Sequence, residues 1–192
     1  MLLLVPVLLP YAAGAEPGPT AALDFVRDAG AELAAVAGGA PSPAEKQARL
    51  GRLLKRVVDR DGLARFCLGR YWNGATPAQR AEYARLYWKV LLHGVAARLG
   101  DYQDGSAKVA MKTPVAGAEG ISVPTIVERS GSRPVTITWL VTGTRQDMRI
   151  ADVVAEGISL RITQRSDFAS YLSRNGGDVD KLIAAMRTQV GE

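Results

Sequence analysis

The chain offers one histidine and one cysteine, so the usual general bases, nucleophiles and soft metal ligands have little material from which to converge. His93 falls inside a long helical pattern, with no residue at the spacing of a base partner or a second ligand. Cys67 sits in the apolar segment 63–68 and has no second cysteine to pair with, so a buried inert thiol is its default. Gly-x-Ser-x-Gly, His-Glu-x-x-His, Cys-x-x-Cys and Gly-x-x-x-x-Gly-Lys patterns are all missing. Four carboxylates remain as candidates. Glu119 lies in a loop flanked by glycines, Asp147 and Asp152 in a strand-like segment, and Glu156 in the turn that follows. A converging carboxylate pair could move a proton. The same residues can instead satisfy turn amides or pair with Arg161 or Arg165, and that structural reading carries more weight. No catalytic residue, metal site or cofactor is expected.

What the chain has in quantity is aliphatic surface. Of its 192 residues, 47% are hydrophobic and only 6% aromatic, so aliphatic side chains must fill most of any core. The length suits one domain. The net charge of +5 points to anionic partners, either a membrane surface or an acidic protein.

The first 15 residues carry no charge, and the apolar run 2–9 is shorter than the ~20 residues needed to span a bilayer. Ala13-Gly14-Ala15 supplies the small-x-small pattern of a signal-peptidase site. Residues 1–15 are therefore read as a secretory signal cleaved after Ala15, although no Lys or Arg stands near Met1. An exported protein meets little nucleic acid, so none is expected as a partner.

Two helices are expected over residues 21–37 and from Pro43, the second opened by Ser42-Pro43-Ala44-Glu45 as a capping sequence. Its buried face is Leu50, Leu53, Leu54, Val57 and Val58. Arg70-Tyr71-Trp72-Asn73-Gly74 reads as a loop. Thr76-Pro77-Ala78-Gln79 opens the clearest helix, ending near Leu99 and roughly 35 Å long at ~1.5 Å per residue. Tyr83, Leu86, Tyr87, Val90, Leu91 and Val95 form its apolar stripe. From Ser106 the period changes to two, and four antiparallel strands follow through Val154. Pro124 argues for an edge position or a bulge. Gly157 marks the passage from sheet to helix, with Ile158, Leu160 and Ile162 read as the start of a helical face. Asp178 caps a last helix. The order is α+β: helices in 21–100, a curved four-stranded antiparallel sheet in 106–154 and C-terminal helices in 158–190, all one domain over 16–192.

Two blocks of this sequence resemble a known family. Leu68-Gly69-Arg70-Tyr71-Trp72, followed by Ala75-Thr76-Pro77-Ala78-Gln79-Arg80 and Tyr83, is similar to the L-G-x-x-W…A-T-x-x-Q-R…F block of the MlaC family. Ile150, Asp152 and Val153, then Glu156-Gly157-Ile158-Ser159-Leu160, then Arg165, Ser166 and Phe168, resemble its second block. Gly176, Gly177, Asp180, Leu182 and Ile183 extend the match. Met148 departs from it, since the family usually has an aromatic residue before the strand end.

The resemblance implies a periplasmic carrier without catalysis that buries phospholipid acyl chains in an apolar cavity. Such a carrier works between an outer-membrane lipoprotein complex and an inner-membrane ABC transporter with an MCE subunit, and so maintains outer-membrane lipid asymmetry. It implies an NTF2-like cone, with the chains between helices and sheet. A hopanoid-associated branch shares these blocks, so a hopanoid or other lipid is an alternative cargo. An NTF2-like enzyme acting on an apolar substrate, and a lipid-free bridging module with a filled core, are the competing classes. Arginines or lysines at the mouth would meet a headgroup phosphate. The residues expected to contact lipid are Val109, Met111, Val123, Ile137, Trp139, Met148 and Ile150 from the sheet, and Tyr83, Tyr87, Val90 and Leu91 from the long helix. Their common face depends on register, because a slip of one residue exchanges inside for outside. Asp152, Gly157 and Arg165 are expected to fix how the last helices cross the sheet.

Overall fold

Local capping chemistry sets the helix starts. The structure, a computed structural model, describes residues 17–39, 42–99, 108–129 and 131–192. The expected signal segment 1–15 lies outside the described residues. Helix α1 is Pro19–Gly39 and α2 is Pro43–Val57. The Ser42 hydroxyl accepts the Glu45 amide at 3.1 Å, with proline at the first helical position. Asp59 caps α3 (Arg60–Leu68) by accepting the Gly62 amide at 3.0 Å. The segment read as a loop forms a short helix, α4 (Tyr71–Gly74). Its four residues are too few for any periodicity to announce it. Helix α5 (Pro77–Leu99) opens with a reciprocal capping box. Thr76 Oγ1 accepts the Gln79 amide at 3.2 Å and Gln79 Oε1 accepts the Thr76 amide at 2.9 Å.

The sheet has six strands rather than four: β1 (Lys108–Met111), β2 (Val115–Gly117), β3 (Gly120–Glu128), β4 (Val135–Thr144), β5 (Asp147–Ala155) and β6 (Ile158–Ser159). All neighbours are antiparallel, in the order β1-β3-β4-β5-β6, with β2 also paired to β3. The two unforeseen strands have three and two residues, too short for alternation to register. Strand β6 corrects the helix start. Glu156 and Gly157 both have positive φ, at 49° and 81°, so they form the two-residue hairpin turn that matches strand twist. That turn folds Ile158 back along β5, opposite Ala155, and Ser159 becomes the cap of α6 (Leu160–Arg174). Helix α7 (Val179–Val190) follows, capped by Asp178.

Pro124 is not on an edge strand, since β3 lies between β4 and the β1/β2 pair. It stands where β1 and β2 leave a gap in β3's outer edge, and its carbonyl accepts the Lys112 amide there at 2.9 Å. The missing N–H therefore points at an interruption, where no ladder bond is forfeited.

The core has two parts. The larger joins α2, α3, α5, α6 and α7 through residues such as Leu50, Leu68, Tyr83, Leu86, Leu172 and Met186, with Ile150 from the sheet. The smaller sets Ala22 and Val26 of α1 on Ile121, Val123 and Val141. Phe25 and Trp139 pack against both. Among the described residues, no helix is long and apolar enough to cross a membrane.

Charged contacts fasten α5 to α7 and the C-terminus. Arg187 of α7 reaches Glu82 at 2.7 Å, and Glu192 accepts from Arg85 at 2.6 Å and from Lys89. Hydrogen bonds from Arg85 and Arg187 hold the Glu82 carboxyl down to about 2, and those from Arg85 and Lys89 do the same for Glu192. A carboxylate whose pKa is lower folded than unfolded adds stability at pH values above its unfolded pKa. That stability should be complete above about pH 4.5 and be lost as pH falls toward about 2. Thermal melts across this range should show the loss, and the Glu82→Gln variant should have a flatter acid limb than the parent.

Candidate functional site

The strand pairing brings the seven expected sheet residues to one face. Val109 stands opposite Val127, and Met111 and Ile137 stand on either side of Thr125. Val123 is opposite Trp139, Ile150 opposite Val141 and Met148 opposite Gly143. A bulge at Leu140/Val141 leaves Ala151 without a partner. The bulge shifts the register by one, so Val153 shares the face with Ile150 instead of opposing it. Burial along this face is uneven. Val123 and Ile150 are buried, Met111, Ile137, Trp139 and Met148 are half-buried, and Val109 is exposed.

The α5 stripe is graded in the same way. Tyr83 and Tyr87 are buried, whereas Val90, Leu91 and Val95, farther along the helix, are half-buried. Tyr83 and Tyr87 pack with Phe168 of α6, with ring centroids 5.9 to 6.4 Å apart and Phe168 edge-on to both. Tyr87 Oη lies 3.4 Å from Cys67 Sγ. Burial pushes the pKa of both phenols, and of the Cys67 thiol, upward. These groups therefore stay protonated and belong to a packed floor. The half-buried side chains beyond them, Val90 and Leu91 on the helix and Trp139 and Val153 on the sheet, pack against the larger cluster, and Trp139 also meets the smaller one, so an apolar seam borders the two clusters at Trp139.

Trp139 is held in place at that seam. Its indole Nε1–H donates to Thr125 Oγ1 at 3.2 Å, and the Thr125 hydroxyl donates to the Ile137 carbonyl at 2.8 Å. Thr125 is one of two buried polar or charged residues among those described. Its hydroxyl is satisfied on both sides, which fixes the indole at low polar cost. The pairing with Ile137 puts Thr125 on this face.

The candidate acid–base groups are dispersed into structural contacts. Asp147 pairs with Arg149 at 2.5 Å, Glu119 with Arg161 at 2.6 Å, and Glu156 accepts the Thr136 amide. His93 is exposed. Among the described residues, no three His, Cys, Asp or Glu side chains gather as a metal site would require. Asp152 is the second buried polar residue. Its carboxylate accepts Ser159 Oγ at 2.6 Å, the Val153 amide at 2.8 Å and the Arg161 amide at 3.1 Å. Arg161 Nε faces Asp152 Oδ2 at 3.4 Å as an ion pair, without a hydrogen bond.

The junction is thus fixed by Asp152 and Arg161, not by Arg165. Arg161 is the residue whose backbone amide already faces the carboxylate. Arg165, one helical turn later, lies instead over Phe66, 4.8 Å from the ring centroid, while Arg161 lies 4.6 Å from it. Phe66 was invisible to sequence reasoning because its partners come from a helix almost 100 positions away.

Open grooves mark the surface among the described residues. One of about 440 Å³ lies between α6 and α7, lined by Phe168, Tyr171, Leu182 and Met186 among others. One of about 300 Å³ lies between α1 and α2. None of the eleven expected lipid-contact residues lines either groove. Tyr83, Tyr87, Val90, Leu91 and Ile150 belong to the larger cluster and Met111, Val123 and Met148 to the smaller, Trp139 touches both, and Val109 is exposed.

Comparison with known proteins bears on this arrangement. The chain is 25% identical over 146 residues to the toluene tolerance protein Ttg2D of Pseudomonas putida, covering 74% of this chain. The alignment spans 66% of that relative, just under two thirds of its length. The fold matches a phospholipid-binding protein of Ralstonia solanacearum, solved in complex with a phospholipid, with a TM-score of 0.73 at 22% identity. That match covers 89% of this chain and 99% of the other. The family model described as MlaC protein matches residues 30–188. The chain belongs to the MlaC family.

Proposed function

We propose that this chain is a phospholipid carrier of the periplasm, without catalysis, that holds acyl chains in the seam between α5 and the inner face of the sheet. The observation that carries the reading is the split core. Two separately packed clusters are bridged by the half-buried Phe25 and Trp139. Apolar walls that already pack on separate supports can part with little loss of internal contact. The binding named for the Ralstonia solanacearum protein of the same fold supports a phospholipid as cargo.

The physical need for such walls is plain. Exposing lipid chains to water costs ~0.8 kcal/mol per methylene. Two chains of ordinary length therefore cost on the order of 20 kcal/mol or more by the same rule. Free monomers would cross an aqueous gap very slowly. Aliphatic walls bury the tails without directional bonds, so chains of different length fit. Family membership supports exchange with an outer-membrane lipoprotein complex and an inner-membrane MCE/ABC transporter as the carrier's two ends, and hence upkeep of outer-membrane asymmetry.

Transfer of a fluorescent phospholipid between two vesicle populations tests the proposal. The protein should raise the transfer rate in proportion to its concentration. A rate equal to that of vesicles alone would rule out a carrier role. Replacing the donor lipid by a hopanoid distinguishes the two cargoes.

A further inference from the structure

Five large hydrophobic side chains stay exposed among the described residues, and three of them fall within residues 158–162. Ile158, Leu160 and Ile162 are 60%, 43% and 57% exposed. They follow the tight Glu156–Gly157 turn and stand where β6 passes into α6. None of the three lines the α6/α7 or the α1/α2 groove.

Arginines continue this surface. Ile162 and Arg165 are three apart on α6 and therefore neighbours on its face. Arg165 lies over Phe66 and against Gly69, where a β-carbon would stand 3.2 Å from Arg165 Nε. Arg65 is exposed on α3, one turn before Gly69, the residue against which Arg165 lies. Arg70 follows Gly69 and donates to its neighbour Tyr71 Oη at 2.9 Å. Arg161 is neutralised by Asp152 and Glu119. Among the described residues, no carboxylate forms an ion pair with Arg65, Arg70 or Arg165.

We propose that Ile158, Leu160 and Ile162, with Arg65, Arg70 and Arg165 beside them, form a docking surface for an anionic lipid bilayer. The aliphatic side chains enter the boundary between headgroups and acyl chains, and the guanidinium groups meet lipid phosphates. Charge complementarity selects this occupant, since uncompensated arginines next to exposed aliphatics match an anionic phosphate layer over hydrocarbon. The surface adjoins the seam at one point, since Ile158 stands opposite Ala155 and Ala155 opposite Ile137, whereas Arg65 and Ile162 lie on α3 and α6 outside it.

Cosedimentation with vesicles tests this, using the purified full chain. Vesicles containing phosphatidylglycerol should bind the protein, and binding should fall as salt is raised. Pure phosphatidylcholine vesicles should bind it much less. Each arginine near an anionic surface contributes roughly a fivefold factor in partition. The Arg65→Glu and Arg165→Glu changes together should therefore weaken binding at least about tenfold. Ile158→Ser with Ile162→Ser should also lower it. Arg65 and Ile162 are exposed and lie outside the seam, so Arg65→Glu and Ile162→Ser should each leave melting temperature and copurified lipid at parental values. Arg65→Glu alone leaves the Phe66 contact intact and should still show a partial loss. Equal binding to both vesicle types, or unchanged binding of the variants, would overturn the proposal. So would capture of a protein through these residues with no vesicle binding. If docking survives while copurified lipid is absent from every form, the docking surface stands and the carrier reading fails.

Discussion

The Asp152→Ala protein is expected to unfold with about 3 kcal/mol less stability than the parent, the largest loss expected of any single polar substitution here. The side chains of Asp152 and Arg161 are only 5% and 14% exposed. Removing the carboxylate leaves the Ser159 hydroxyl and the Val153 and Arg161 amides without their acceptor, and a guanidinium without its inner partner. Breaking a buried ion pair from one side costs about 3–5 kcal/mol. The lower figure applies because Arg161 keeps Glu119 as a second partner. For a domain of this size the change corresponds to a drop of roughly 6–12 °C in melting temperature. Urea denaturation should show a lower midpoint at unchanged slope. Glu119→Ala is the control. Its side chain is 70% exposed, so its loss should cost under about 1 kcal/mol. A near-neutral Asp152→Ala would mean that this contact does not organise the β5–β6–α6 junction.

The second large effect is expected at the seam. Ile137→Trp places an indole beside Trp139 on the half-buried inner face, where lipid chains are proposed to lie. Overpacking costs about 1–3 kcal/mol. Because Ile137 is half-buried, the unloaded protein can absorb that strain by letting the new side chain move outward. The loaded state cannot, so lipid should bind roughly 5- to 150-fold more weakly. Val90→Trp narrows the seam from the α5 side and should act in the same direction. Thr138→Trp changes the next residue of the same strand, on the opposite face, and should leave lipid content at the parental level. Lipid extracted from the three purified variants and quantified against protein would decide the matter. Normal content in both Ile137→Trp and Val90→Trp would place the lipid elsewhere.

These expectations rest on features that differed in how far sequence could disclose them. The β3 and β4 segments alternate so regularly that Val123 on one, and Ile137 and Trp139 on the other, fall on the apolar face of their own strand, while the register that joins the two faces comes from the strand pairing. The capping sequences at Ser42 and Thr76 likewise announce α2 and α5, because their hydrogen bonds are made within four residues. Strand β6 was hidden because its two residues fold back through a turn that puts a glutamate in the left-handed region, a conformation no local rule assigns to Glu156. The split in the core was hidden too. Helix α1 is so rich in alanine that no single face stands out, and only tertiary packing reveals Ala22 and Val26 as the side that meets the sheet. The choice of Arg161 over Arg165 was equally nonlocal. It depends on the backbone amide that the β6 hairpin delivers to Asp152.

The central claim is that the seam holds phospholipid. Native mass spectrometry of the purified protein tests it most directly. The expected spectrum has a species heavier than the polypeptide by the mass of one intact phospholipid, and that species should be largely lost in Ile137→Trp. A spectrum with the polypeptide mass alone, even after incubation with phospholipid vesicles, would contradict the claim and leave a lipid-free bridging module as the better description.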